Sequence, residues 1–224
     1  MSDGLIIDQL KKNQILDLLK EGKRVDGRQF DEPRKLTIDI GVIPKAEGSA
    51  RARLGDTEVV AGVKVQPERP FPDTGDKGML ICTAEILPIA HPSAETGPPQ
   101  PPVVELARVT DRGIRESGML DMKQLVLEKD KSVIGVFCDN AVTDHDGNLF
   151  DACSYASTAA INSCKIPKYE MQDEKPVKIE GEFIEPPITT LPVSVTMAKI
   201  GGFILVDPTI EEWGIMDARI TITS

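Results

Sequence analysis

The stretch VIGVFCDNAVTDHDGNLFDACSYASTAAINS, residues 133–163, carries three physical signals in succession: strand, acidic turn and helix. Val133, Ile134, Val136 and Phe137 form a short β-rich apolar run, and Asp144, His145, Asp146, Gly147 and Asn148 supply turn chemistry. Asn148 is predicted to cap the helix that follows, with Asp151 facing the exposed amides of its first turn. That helix carries Ala152, Cys153, Ser154, Ala156, Ser157, Thr158, Ala159, Ala160 and Ser163, with no charge after Asp151. Few bulky side chains mean close approach, which predicts a buried central helix pressed between other elements. A turn feeding the N-terminus of a buried helix is also a place to bind phosphate. Here the turn is acidic and ends Asn148-Leu149-Phe150, which offers an anion little.

Working outward, 224 residues with 40% hydrophobic content suffice for one good core, so a single domain spanning 1–224 is expected. A net charge of −10 argues against nucleic-acid binding by bulk charge, so any such contact must be local. Cys82, Cys138, Cys153 and Cys164 lie in or beside apolar segments without CxxC spacing, as expected of free thiols in a reducing cytoplasm. No run approaches the roughly 18 apolar residues of a membrane span. The sequence reads as a cytoplasmic protein without a membrane partner.

Leu5, Ile6, Leu10, Ile15, Leu18 and Leu19 recur at helical spacing and predict an N-terminal helix over about 5–21, stopped by Gly22. After Pro33 the pattern changes to strands at 36–40, 49–54 and 57–65, the last two joined by the Gly55-Asp56 turn. The proline-rich segments 66–78 and 91–102 are expected as exposed loops flanking a strand at 79–89. Helices are expected at 103–117, with Gly118 as stop, and at 120–127. Residues 166–185 are polar and proline-flanked, and strands are expected at 188–197, 203–206 and 218–223. The chain stops inside the last of these, which reads as a truncated C-terminal end.

In the helix ELARVTDRGIRES, Glu105, Arg108, Arg112 and Arg115 lie 3, 4 and 3 apart on one stripe, while Leu106, Val109 and Gly113 line another. Guanidinium forks match phosphate oxygens two at a time and stay charged at physiological pH. Two readings stay open: a phosphate grip, or a solvated helix whose arginines are neutralised by Glu105, Asp111 and Glu116. Asp144, His145 and Asp146 are read as a turn and helix cap rather than as metal ligands. Glu211, Glu212 and Asp217 form a second acidic group, either a metal or acid–base site or a solvated turn. Arg51 and Arg53 alternate on one strand face and are expected to be ion-paired.

RVDGR at 24–28, AEGSARARLGDTEVVAGV at 46–63, ELARVTDRGIRES from Glu105 and TDHDGNLFDA from Thr143 together resemble the RNase PH family of phosphate-dependent 3′ to 5′ exoribonucleases. The resemblance implies an α+β fold with mixed or antiparallel sheets packed on a buried central helix and flanking helices. KGML after the PFPDTGD loop resembles one branch, the non-catalytic RNase PH-like subunit of the archaeal exosome, which alternates with a catalytic RNase PH-like subunit in a hexameric ring. In active members the turn resembles D-A-D-G-G-[ST]-R, where amides, a hydroxyl and an arginine hold the attacking phosphate. Asp146, Gly147, Asn148, Leu149 and Phe150 stand there as a degenerate phosphate-site turn, with apolar groups replacing the hydroxyl and the arginine. The resemblance therefore implies no catalytic residue and no metal in this chain. Inorganic phosphate, and a divalent cation if one is needed, would be used by the complex. It assigns RNA binding to Arg108, Arg112 and Arg115, and the implied partners are single-stranded RNA, the catalytic subunit and cap subunits with RNA-binding domains. The rival readings are an active exoribonuclease in its own right and a purely structural ring scaffold.

Overall fold

The structure is a computed structural model that describes residues 2–94, 97–172 and 175–224, with side chains from Leu10 onward. Among them, strands β1 (Leu36–Ile40), β2 (Gly48–Leu54), β3 (Thr57–Glu68), β4 (Met79–Ile86), β5 (Val126–Glu128) and β6 (Ser132–Asp144) form one sheet. Its order is β1-β2-β3-β6-β4, with β5 paired to one end of β6. Neighbours run antiparallel except β4, which lies parallel to β6. The crossover between those two contains helix α2 (Pro101–Glu116), as a parallel connection requires.

Alternation decides which face is buried. Ala50, Ala52 and Leu54 on β2, and Val59, Ala61, Val63 and Val65 on β3, point inward. Arg51 and Arg53 point outward and pair with Asp39 and Glu58, as expected of sheet surface. Helix α3 (Leu149–Asn162) packs against the inner face, touching β2, β3 and α2. Its buried alanines share one core with Ala50, Ala52 and Ala61 of the sheet, and Gly48 lets the backbones approach closely: a Cβ there would lie 2.3 Å from the Ala160 carbonyl oxygen. The predicted buried central helix is this one.

The second part of the chain is smaller. Strands β9 (Ser194–Ile200), β10 (Phe203–Val206) and β11 (Ala218–Thr223) make an antiparallel sheet in the order β10-β9-β11, with helix α4 (Ile210–Ile215) connecting β10 to β11 along the chain. Helix α1 (Ser2–Lys20) seats Ile15 and Leu19 on Ile200, Leu205 and Ile215, a cluster separate from the main core. Gly22, at φ +75°, follows α1 in the left-handed conformation that ends a helix. Leu10, predicted on the apolar face of α1, is exposed.

Several segments differ from expectation: the strand expected at 79–89 ends at Ile86, and α2 begins at Pro101 inside the expected loop. Residues 120–127 form a short 3-10 turn (Met122–Leu125) and β5 instead of a helix. Residues 166–185 are a hairpin of β7 (Ile166–Gln172) and β8 (Lys175–Ile184). The strand expected from 188 begins at Ser194, with Ile188 making an isolated bridge to Leu120. Residues 66–68, expected as loop, continue β3. No helix among the described residues is long and apolar enough to cross a membrane.

Candidate nucleic-acid interface

Helix α2 buries Leu106, Thr110 and Ile114, spaced four apart, and so turns Arg108, Arg112 and Arg115 outward. The three arginines are not equivalent. Arg115 donates from Nε and Nη2 to Asp111 at 3.0 and 2.9 Å, and from Nη2 to the Leu80 carbonyl at 2.7 Å. The Asp111 carboxylate raises its pKa further. Arg108 and Arg112 are exposed and make no hydrogen bond or ion pair among the described residues. They border an open hollow of about 550 Å³ with Pro99, Pro101, Val104 and Val109. Glu105, expected to neutralise a neighbour on the stripe, instead accepts from Arg219 on β11 at 2.5 Å. Local neutralisation thus holds for Arg115 and not for the other two.

The turn before α3 is held from below by a charged knot. Arg34 donates from Nη1 to the Asp146 carbonyl at 2.7 Å and from Nη2 to the Gly147 carbonyl at 3.3 Å, and grips Asp207 with Nε and Nη2 at 2.9 and 2.8 Å. Arg28 adds a bond to Asp207 at 3.1 Å, and Thr57 Oγ1 donates to the Gly147 carbonyl at 2.8 Å. Burial pushes the Asp207 carboxyl up, but Arg34's bonds and charge, with the Asn148 amide, outweigh it and hold the group below the usual carboxylate range. Asp146 moves the other way, because burial exceeds the help it receives from Arg34.

Asn148 sits at the N-cap position, yet its backbone is left-handed at φ +48° and its side chain does not cap the helix. The amide Nδ2 donates to Asp151 and Asp207, both at 2.7 Å. Asp151 likewise departs from expectation: its carboxylate accepts from Thr196 N and Oγ1 at 2.9 and 2.7 Å, tying α3 to β9 rather than to its own first turn. Burial raises its pKa. His145 Nδ1 accepts from the Gly147 amide, and burial, then His91 and Arg34, push the imidazole down to about 4.

Leu149 and Phe150 are buried. The Phe150 ring stacks on Trp213 with centroids 5.8 Å apart, and the Arg219 guanidinium lies 4.0 Å above the Phe150 centroid. A cation therefore stands beside the turn, but it is committed to two rings and to Glu105. The late acidic group disperses: Glu212 is buried against Arg24 at 2.6 Å and completes a capping box with Thr209, Asp217 pairs with Lys12 at 2.8 Å, and Glu211 faces solvent. Arg24, Arg28 and Arg34 escaped the sequence reading as site residues. Arg24 and Arg28 stand there only within the RVDGR motif, and the carboxylates that tie the three arginines to the turn and to the second sheet lie 112 to 188 positions away, which local spacing does not reveal.

A mixed sheet covered by a small-residue helix, an outward arginine face on the crossover helix and a turn at the helix start define an RNase PH-type domain. The chain belongs to the RNase PH 3′ exoribonuclease family, whose first-domain model matches residues 32–167 and whose second-domain model matches 190–224. It is 49% identical over 225 residues to exosome complex component Rrp42 of Thermococcus gammatolerans, covering 100% of this chain and 82% of that protein. The Methanocella arvoryzae Rrp42 is 44% identical over 217 residues, covering 97% and 81%. Among solved structures, an Archaeoglobus fulgidus exosome with RNA bound to the active site superposes with a TM-score of 0.89 at 47% identity, covering 98% of this chain and 84% of that one. An archaeal exosome core gives 0.84 at 43% identity, covering 100% and 83%.

Proposed function

We propose that the chain is the non-catalytic RNase PH-like subunit of an archaeal exosome, working in the cytoplasm. It pairs with a catalytic RNase PH-like subunit in a hexameric ring, shapes that subunit's active site and lends arginines to the RNA. The complex degrades single-stranded RNA from its 3′ end with inorganic phosphate, under cap subunits that carry RNA-binding domains. The carrying observation is the contrast between two cation sites. Arg108 and Arg112 are exposed and unpaired, whereas the turn that would hold phosphate presents Leu149 and buried Phe150. Absence of a positioned donor at a transition-state charge costs about 10²–10³ in rate, so this turn does not support phosphorolysis by itself. Arg115, already serving Asp111 and the Leu80 carbonyl, sets α2 against β4 and contributes less to RNA.

The test is phosphate-dependent release of nucleoside diphosphates by the chain alone, by its complex with a catalytic RNase PH-like partner, and by that complex carrying Arg108→Ala with Arg112→Ala. The chain alone should be inert and the complex active. The double variant should assemble, bind RNA more weakly and lose about 1.4 from the slope of log affinity against log salt, at roughly 0.7 per single-strand phosphate contact. Turnover by the chain alone would make it an enzyme, and unchanged RNA affinity in the variant would leave a scaffold.

A further inference from the structure

We propose that the pocket beside the degenerate turn binds a nucleobase, a neutral planar ligand in place of an anion. The cavity measures about 320 Å³, at the small end of ligand sites, and is walled by Ile86, Leu106, Leu149, Phe150, Trp213 and Met216. Its polar lining comes from His145, Asn148 and the Glu105–Arg219 pair.

Charge excludes an anion. Asp151 and Asp207 stand directly behind Asn148, each 2.7 Å from its amide nitrogen, and Glu105 adds a third carboxylate on the lining. The one cation of the lining, Arg219, is held by Glu105 and lies over the Phe150 ring. A dissolved phosphate would find no free positive group, and Asp151, the one of these carboxylates with no cation beside it, behind the lining.

The hydrogen-bonding groups fit a base edge instead. Both partners of Asn148 Nδ2 are carboxylates, which fixes the amide orientation and leaves Oδ1 as the buried atom without a partner. That oxygen calls for an N–H donor. His145 Nδ1 accepts the Gly147 amide proton, so the neutral ring carries its own proton on Nε2 and is a donor. Asn148 and His145 are both lining residues, so a covered acceptor and a donor stand beside one cavity with Phe150 and Trp213; an amino group beside a ring nitrogen requires such a pair, and base rings pack well on aromatic walls. The base can arrive on a free nucleoside or on an RNA strand, and either way the pocket is independent of Arg108 and Arg112.

Trp213 is the single tryptophan of the chain and lines the cavity, so its fluorescence reports occupancy. The full chain is titrated with adenosine, with a short oligoadenylate and with inorganic phosphate, alongside Ile86→Phe, which fills the cavity from one wall. A saturable emission change with adenosine, lost in Ile86→Phe at an unchanged melting temperature, establishes the pocket with a free-nucleoside source. A change seen only with oligoadenylate and lost in the same variant assigns the base to an RNA strand. Met216→Phe fills the cavity from its own wall and takes the place of Ile86→Phe should that variant not fold. A response to phosphate, no response to any of the three, or a response that survives filling of the cavity overturns the proposal.

Discussion

Arg24 and Glu212 are 188 positions apart and meet at 2.6 Å with no solvent on either side chain. Removing one partner strands a buried charge, so Arg24→Ala should cost about 3–5 kcal/mol in urea unfolding. Arg24→Met with Glu212→Met should recover much of that loss, because the pair is then replaced by apolar volume. His145 makes a second prediction. Its imidazole, held down to about 4 by burial and then by His91 and Arg34, refuses a proton that the unfolded chain accepts near 6.5. Stability should therefore fall as pH drops from 6.5 towards 4, with a slope of up to about one proton that His145→Gln removes. Urea midpoints of both proteins at pH 7, 5.5 and 4 would check it. At this scale the sequence displayed the apolar replacements at 149 and 150, since they follow directly in a recognisable turn. It concealed Arg34 and Arg24, whose carboxylate partners are all distant in the chain.

The helices that mattered most were legible because their composition matched their surroundings. Small residues on α3 foretold close packing, and the 3-4-3 spacing of α2 foretold an arginine face. What spacing left open was which arginines are free, because Glu105 is captured by β11 rather than by its own helix. The hairpin of β7 and β8 gave no signal: β8 is exposed or half-buried along its length, so no apolar face alternates with a polar one. Helix α4 has only six residues, too few for a period. Residues 120–127 carry enough apolar groups to imitate a helix, yet Leu120 and Leu125 are buried from irregular and 3-10 backbone. The contact of β2 with α3 gives the prediction at this scale. Gly48→Ala places a methyl 2.3 Å from the Ala160 carbonyl oxygen and should destabilise by about 1–3 kcal/mol, read from thermal or urea unfolding. A wild-type midpoint would mean that the helix gives way without penalty.

Among the described residues two apolar clusters are formed, and Asp207 links the parts of the chain that carry them. From the chain leading into α4 it accepts bonds from Arg28, Arg34 and Asn148, which belong to the turns flanking the larger sheet. Asp207→Asn should cost about 3 kcal/mol, since it leaves Arg34 without its charged partner. Amide exchange should rise more across 190–224 than in β3 and β6, whereas a uniform rise would show that the two parts open together. Because this carboxyl is held low, its contribution is complete above the usual carboxylate pKa and is lost as pH falls through that range. With a net charge of −10 over the whole chain, the proposed RNA contact has to be local, and Arg108 and Arg112 are exposed and uncommitted cations on one helix face.

The stack of Phe150, Trp213 and Arg219 also bears on reversibility. Placing an arginine at position 150 would strip Trp213 of its partner ring and set a second guanidinium beside Arg219. The turn carbonyls would still be engaged by Arg34, and the backbone at 147 is wedged against Pro208, Thr209 and Ile210, where a Cβ would lie within 2.7 Å of main-chain atoms. Neighbours coupled this tightly do not change one at a time without loss. An arginine placed at 150 alone therefore spends stability before it can yield rate, so the packing around the turn buttresses its apolar form.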